Sequence, residues 1–400
     1  MKKTKDISDV VIPAEAWEYD TTRLKEGFRS LFQAKLAEIG LSKTSVERML
    51  HIERRSLDSI LDMNPDSRID FINVIKVSDF LGVPIEDMAR SYTDFLSAKQ
   101  ISDIQRAREA GFVVSYFDVK SLMNAGFIKS REESEVSKRI VRYFGLPNIY
   151  EYSNILTAVF PAFSKTKRNS DDKMRHFWVI SAYSKFEKLI NPNDYNRSSL
   201  KNIVPKLRSL TQDVEKGLYK AVKALFSVGV TVIFQESLPK AQVRGATMCV
   251  NGKPCIVLSN LNKHYHTLWF ALMHELYHVL FDFEEIREMT YHLSGCEDLF
   301  LLDESRADNF ASQYLLEDSR RKFAYQYISS GPLISKLASK WSIHPSIIYA
   351  AYAHDKDNGT FYNKSDPGSE PAIKLLNTHT FEKETILESV NELKKLFNIN

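Results

Sequence analysis

Residues 274 to 278 read His-Glu-Leu-Tyr-His. On an α-helix each residue turns about 100° and rises about 1.5 Å, so positions four apart differ by only about 40° and about 6 Å. The imidazoles of His274 and His278 can therefore reach one cation. Glu275 falls about 100° round from His274, beside the cation and not on it, where a carboxylate can take the proton of a metal-bound water. The spacing predicts His274 and His278 as ligands of Zn2+ and Glu275 as the base of a peptidase. The competing reading is a chance match in which these are satisfied core histidines. Two features weigh against it. The surrounding stretch, His264 to about Phe281, is apolar nearly all round, as a buried helix is, and two imidazoles with a carboxylate are costly to bury without a partner. Strand-like segments also precede it.

A catalytic zinc takes three protein ligands and keeps a fourth position for water. Glu304, in the run Glu304-Ser305-Arg306-Ala307-Asp308, is the leading candidate for the third. Asp308 shares its helical face and could accept the spare N–H of a ligating histidine, fixing its tautomer. Rivals for the third place are His292, Glu297, Asp298, Asp303, His264 and His266, the last about 80° off the face of His274. Cys296 would suit a thiolate-ligated zinc but reads better as an ordinary free cysteine.

Around these residues the pattern predicts an α+β chain, mainly helical. Val230, Val232 and Phe234 alternate as a strand does, and Met248 to Val250 and Cys255 to Leu258 flank the turn pair Asn251-Gly252, which together predict a small antiparallel sheet. The helix bearing His274 follows, then a second from about Leu301 to Leu316 and others to Tyr352. This makes a zincin-like unit over 226–355. Before it, 91–225 reads as a helical linker or scaffold. Ser130 and Glu133 there have capping-box spacing ahead of Val136, Gly145 ends that run, and Ser164 to Arg175 reads as a surface loop. Asn363 to Pro371 reads as a linker to an amphipathic helix over 372–400, expected to dock on the body or on a second subunit. The front, Leu24 to about Met88, is a small helical module whose first stripe stops at Gly40.

Composition excludes little. The 400 residues suffice for two or three domains, and a net charge of +3 announces neither a nucleic-acid nor a membrane partner. Three cysteines without C-x-x-C spacing indicate neither a disulfide framework nor a cysteine-type finger. With no signal-peptide core behind its first lysines, the chain is expected to be cytoplasmic, without a membrane partner.

Leu268-Trp269-Phe270-Ala271-Leu272-Met273 running into the 274–278 motif, followed by Glu304-Ser305-Arg306-Ala307-Asp308-Asn309-Phe310-Ala311, resembles the ImmA/IrrE family of bacterial metallopeptidases. The likeness extends from about Gly229 to Tyr352. It implies Glu304 as third ligand, with Asp308 behind a ligating histidine. Two departures stand out: Tyr277 where the family often has Gly, and Glu317-Asp318 where it has Pro. The resemblance further implies a protein substrate, namely a repressor of the helix-turn-helix type, in a stress, phage or toxin-antitoxin circuit. Long members carry such a domain themselves.

The front module can be laid on that plan as an Xre-like helix-turn-helix domain over 20–90. Thr44 to Leu50 would be the first helix, His51 and Ile52 the turn, Arg54 to Leu61 the recognition helix, and Ile69 to Leu81 a support. Glu47 replaces the usual small residue and His51 the usual glycine, while Glu53 and Asp58 put acid on the reading side. From Thr21 to Gln100 there are 12 Lys plus Arg and 12 Asp plus Glu, so strong phosphate binding is not indicated. Arg48, Arg54 and Arg55 could still form a local basic edge, doubled in a homodimer. Operator DNA thus stands against a repressor or another copy of the chain as the module's partner. For the peptidase reading, the strands before the active helix are expected to pair with an extended substrate, and Tyr277, Tyr291, His292, Tyr314 and His344 are candidate oxyanion donors. The main rival function is a DNA-binding regulator or antitoxin whose peptidase fold no longer cuts.

Overall fold

The computed structural model describes residues 27–64, 67–93, 95–159, 172–289, 291–294, 304–376 and 381–399. Glu297, Asp298, Asp303 and Cys296 lie outside them. The chain divides into two compact units, Met1–Ala107 and Arg108–Asn400.

The first unit holds helices α1 (Phe28–Ile39), α2 (Lys43–Leu50), α3 (Arg54–Leu61), α4 (Phe71–Leu81) and α5 (Ile85–Thr93). Phe28, Phe32, Val46, Leu57, Ile60, Val77 and Met88 form its core. Gly40 ends α1 in the left-handed conformation at φ 67°. Between α2 and α3 the turn needs the same conformation, and His51 adopts it at φ 51° and ψ 52°, a position that ordinarily favours glycine. Asp58 is ion-paired within the unit. Its Oδ1 accepts from Arg29 at 2.9 Å and from Lys43 at 2.6 Å, while Arg48, Arg54 and Arg55 are exposed.

In the chain's remainder come α6 (Ala98–Tyr116), α7 (Val119–Asn124), α8 (Glu133–Phe144), α9 (Glu151–Val159), α10 (Asp172–Lys188), α11 (Arg197–Leu210) and α12 (Gly217–Phe226). Then follow β1 (Thr231–Phe234), β2 (Gly245–Val250), β3 (Lys253–Leu258), α13 (Tyr265–Phe281), α14 (Phe283–Met289), β4 (Tyr291–Ser294) and α15 (Glu304–Leu315). Helices α16 (Asp318–Tyr325), α17 (Gly331–Trp341), α18 (Pro345–Asp355), α19 (Glu370–Ile373) and α20 (Ile386–Phe397) complete it. One continuous core runs through this unit from Val113 to Phe397. It joins the regions read as scaffold, peptidase and terminal helix. Phe397 stacks on Phe226 at 4.0 Å, so α20 docks on the body.

Three local expectations need correction. Ser130 does not cap α8: its Oγ accepts from Glu132 N at 3.1 Å, a short-range bond that competes with capping, and Glu132 is the residue before the helix. Residues 172–175, expected in a surface loop, are the first turn of α10, and 164–171 lie outside the described residues. The sheet is mixed, not antiparallel throughout, and has a fourth strand that follows α13 and α14.

Its order is β1-β3-β2-β4. β1 and β3 run parallel, with Thr231 opposite Cys255, while β2 pairs antiparallel with both β3 and β4. The hairpin explains the order. Asn251 and Gly252, at φ 52° and 73°, make the tight turn that matches strand twist, and it sets β3 beside β2, between β2 and β1. All four residues of β1 are buried, so its alternation of residue types marks no solvent face. Among the described residues no helix is long and apolar enough to cross a membrane.

Candidate metal centre

Helix α13 lies on the sheet with Leu268, Trp269, Leu272, Met273, Leu276 and Val279 fully or almost fully buried. No glycine or proline interrupts it. Its start is held from a distant segment: Asp366 accepts from Tyr265 N at 2.9 Å through Oδ1 and contacts His264 Nδ1 at 2.6 Å through Oδ2. The segment read as a linker therefore caps the helix that carries the motif.

His274 and His278 are 5% and 0% exposed, and their Nε2 atoms approach to 3.2 Å. Helix α15 brings Glu304 against them, with Oε2 3.3 Å from His274 Nε2 and Oε1 3.5 Å from His278 Nε2. Donor atoms of these three residues all lie within 4.8 Å of one another, the one group of three or more such residues among those described that could hold a metal ion. Each histidine is backed by an acid. His274 Nδ1 is 2.8 Å from Asp308 Oδ1, and His278 Nδ1 is 2.8 Å from Asp282 Oδ2.

These acids decide what the site can do. A carboxylate accepts, so it selects the Nδ1–H tautomer and turns the lone pair of Nε2 inward. Two Nε2 lone pairs and the Glu304 carboxylate then converge. Such a set of acceptors repels itself unless a cation, a proton or a metal, lies among them. The electrostatic environment agrees. Burial works to lower the pKa of His274, but the hydrogen bonds to Asp308 and Glu304 and the charge of Glu275 outweigh it, raising it to about 10. For His278 burial is likewise outweighed, by Asp282 and Glu304. Burial would raise the carboxyl of Glu304, yet its contacts with His274, His278 and His292 hold it far below the usual range.

Glu275 is fully buried beside this triad. Thr247 Oγ1, on β2, donates to its Oε2 at 2.7 Å, while Oε1 has no partner. Gly245 makes the space: a Cβ there would lie 2.5 Å from Oε1. This buried carboxylate therefore has one oxygen fixed and the other unengaged.

No protein-family model, curated protein or solved structure matches this chain.

Of the residues singled out in the sequence, the structure brings together His274, His278, Glu304, Asp308 and Glu275, with His292 Nε2 at 2.6 Å from Glu304 Oε1. Others lie elsewhere. His264 and His266 stack on each other at 5.3 Å beside Asp366. His344 caps α18 and rests on Tyr265, at the opposite end of α13 from His278, which removes it as an oxyanion donor. Tyr277 packs on His278 and Phe310, and Tyr314 on Phe310. The side chain of Tyr291 lies outside the described residues. Sequence reading missed Thr247, Gly245 and Asp282. Asp282 had a signal, since it follows His278 by the same four residues that separate Glu304 from Asp308; Thr247 and Gly245 had only strand alternation.

Proposed function

We propose that this chain is a zinc-dependent endopeptidase, with His274, His278 and Glu304 as ligands and Glu275 as general base. The observation that carries the reading is the convergence of two inward-facing Nε2 atoms and a carboxylate beside a buried glutamate with an unpartnered oxygen. Two imidazoles and one carboxylate suit Zn2+ and leave its fourth position for water. Bound there, zinc would supply Lewis acidity at the scissile carbonyl and acidify the attacking water.

Within the chain, Thr247 orients Glu275, whose Oε1 accepts the proton of that water and returns it to the leaving amine nitrogen. Asp308 and Asp282 keep the two imidazoles in one tautomer and one ring orientation. An extended substrate segment would add to the sheet at β4, the outer strand that carries His292 to the site. The resemblance to the ImmA/IrrE family supplies the substrate class, a helix-turn-helix repressor. It also supplies the setting, a stress, phage or toxin-antitoxin circuit.

Glu275→Gln is the test. It should retain zinc and lose cleavage of a repressor substrate by about 10²- to 10⁴-fold; cleavage at the wild-type rate with zinc bound would remove Glu275 as the base. A second reading, a regulator that binds DNA through its N-terminal unit, is favoured by the exposure of Arg48, Arg54 and Arg55 and by the engagement of Asp58 with Arg29 and Lys43.

A further inference from the structure

Strand β4 carries a second polar group into the site, opposite the one that holds the base. In the β2–β4 register Thr247 faces His292, so the two cross-strand partners project from the same face of the sheet. Thr247 reaches Glu275, and His292 Nε2 reaches Glu304 Oε1 at 2.6 Å. His292 is 3% exposed, while the Glu304 side chain is 38% exposed and begins its helix, with no turn of α15 before it.

His292 does not belong to the group whose donor atoms all lie within 4.8 Å of one another. Its imidazole meets one oxygen of Glu304 on the flank of the triad, with its ring 4.4 Å from that of His278. An N–H donated to Oε1 fixes the rotation of the carboxylate, and with it the placement of Oε2 toward His274.

We propose that His292 is a positioning residue that orients Glu304 for metal binding and is not itself a ligand. This rests on the metal-site reading given above. It assigns the four-residue strand β4 a purpose beyond extending the sheet, because β2 and β4 then hold the base and the third ligand from one pair of opposed residues.

The test is zinc affinity of the full chain, measured by competition with a chromophoric chelator, with folding checked by circular dichroism and thermal melting. His292→Ala should weaken zinc binding by about 10- to 100-fold, and His292→Gln, whose amide N–H can make the same donation, should recover most of it. In a Glu304→Ala background, His292→Ala should cause no further loss, since the residue acts through Glu304. The Co2+-substituted protein should show the same visible absorption in wild type and His292→Gln. Wild-type affinity in a folded His292→Ala, or a further loss in the Glu304→Ala background, would overturn the proposal. So would a changed Co2+ spectrum without rescue by Gln, which would make His292 a ligand. A wild-type chain that binds no zinc would fail at the first measurement and bring down the metal reading itself.

Discussion

The role proposed for Glu275 rests on what surrounds it: a hydroxyl on one oxygen, nothing on the other, and a glycine where any side chain would intrude. Gly245→Ala would place a methyl group 2.5 Å from Oε1, and the nearest atoms it meets all belong to Glu275, so this side chain must shift. Misplacing a reacting group by about 1 Å costs on the order of 100-fold in rate. Peptide cleavage should fall by about that factor while zinc content stays unchanged; unaltered cleavage would show that the carboxylate does not work from this position. The two histidines and Glu275 were legible because helical spacing is a local rule. Glu304 was weaker, resting on a second helix and a resemblance, and the structure brings it within 3.5 Å of both imidazoles. Gly245 and Thr247 were illegible, since what makes them matter is the register between sheet and helix, and neither residue type announces that.

At the level of elements, α13 depends on Asp366, about a hundred residues later in sequence, for the cap that its own preceding residue does not supply. Loss of a side-chain cap costs about 0.5–2 kcal/mol. Asp366→Ala should lower stability by about that amount in urea unfolding, with a matching fall in the melting temperature. No change would mean that His264 and solvent satisfy the helix start unaided. Some helix boundaries were readable: Arg54 to Leu61 is helical as expected, and Gly40 and Gly145 end their helices in the left-handed conformation, whereas the starts of α8, α10 and α20 were not. Strand topology was not. The Asn251-Gly252 turn gave the hairpin, but a parallel β1–β3 pair and a fourth strand arise from long-range pairing that no local pattern encodes.

Across the whole molecule, two units with separate cores carry different candidate chemistries. The N-terminal unit offers Arg48, Arg54 and Arg55 to solvent around a turn that His51 closes at positive φ. If it reads DNA, Arg54→Ala with Arg55→Ala should weaken a gel shift on operator DNA roughly uniformly across sequences and reduce its salt dependence. An unchanged shift would assign the unit to protein partners. The larger unit could be read in outline, because a buried helix with two histidines demands a reason, and docking of the C-terminal helix on the body was one of the two placements expected; that the middle helices share the same core could not be read. The central claim, that two inward-facing imidazoles and Glu304 hold a catalytic metal, is tested most directly by metal analysis of the full chain purified at neutral pH. Wild type should carry about one zinc per chain, and His278→Ala, folded by circular dichroism, should carry almost none. A wild-type protein that takes up no zinc, or a His278→Ala variant that retains it fully, would contradict the account.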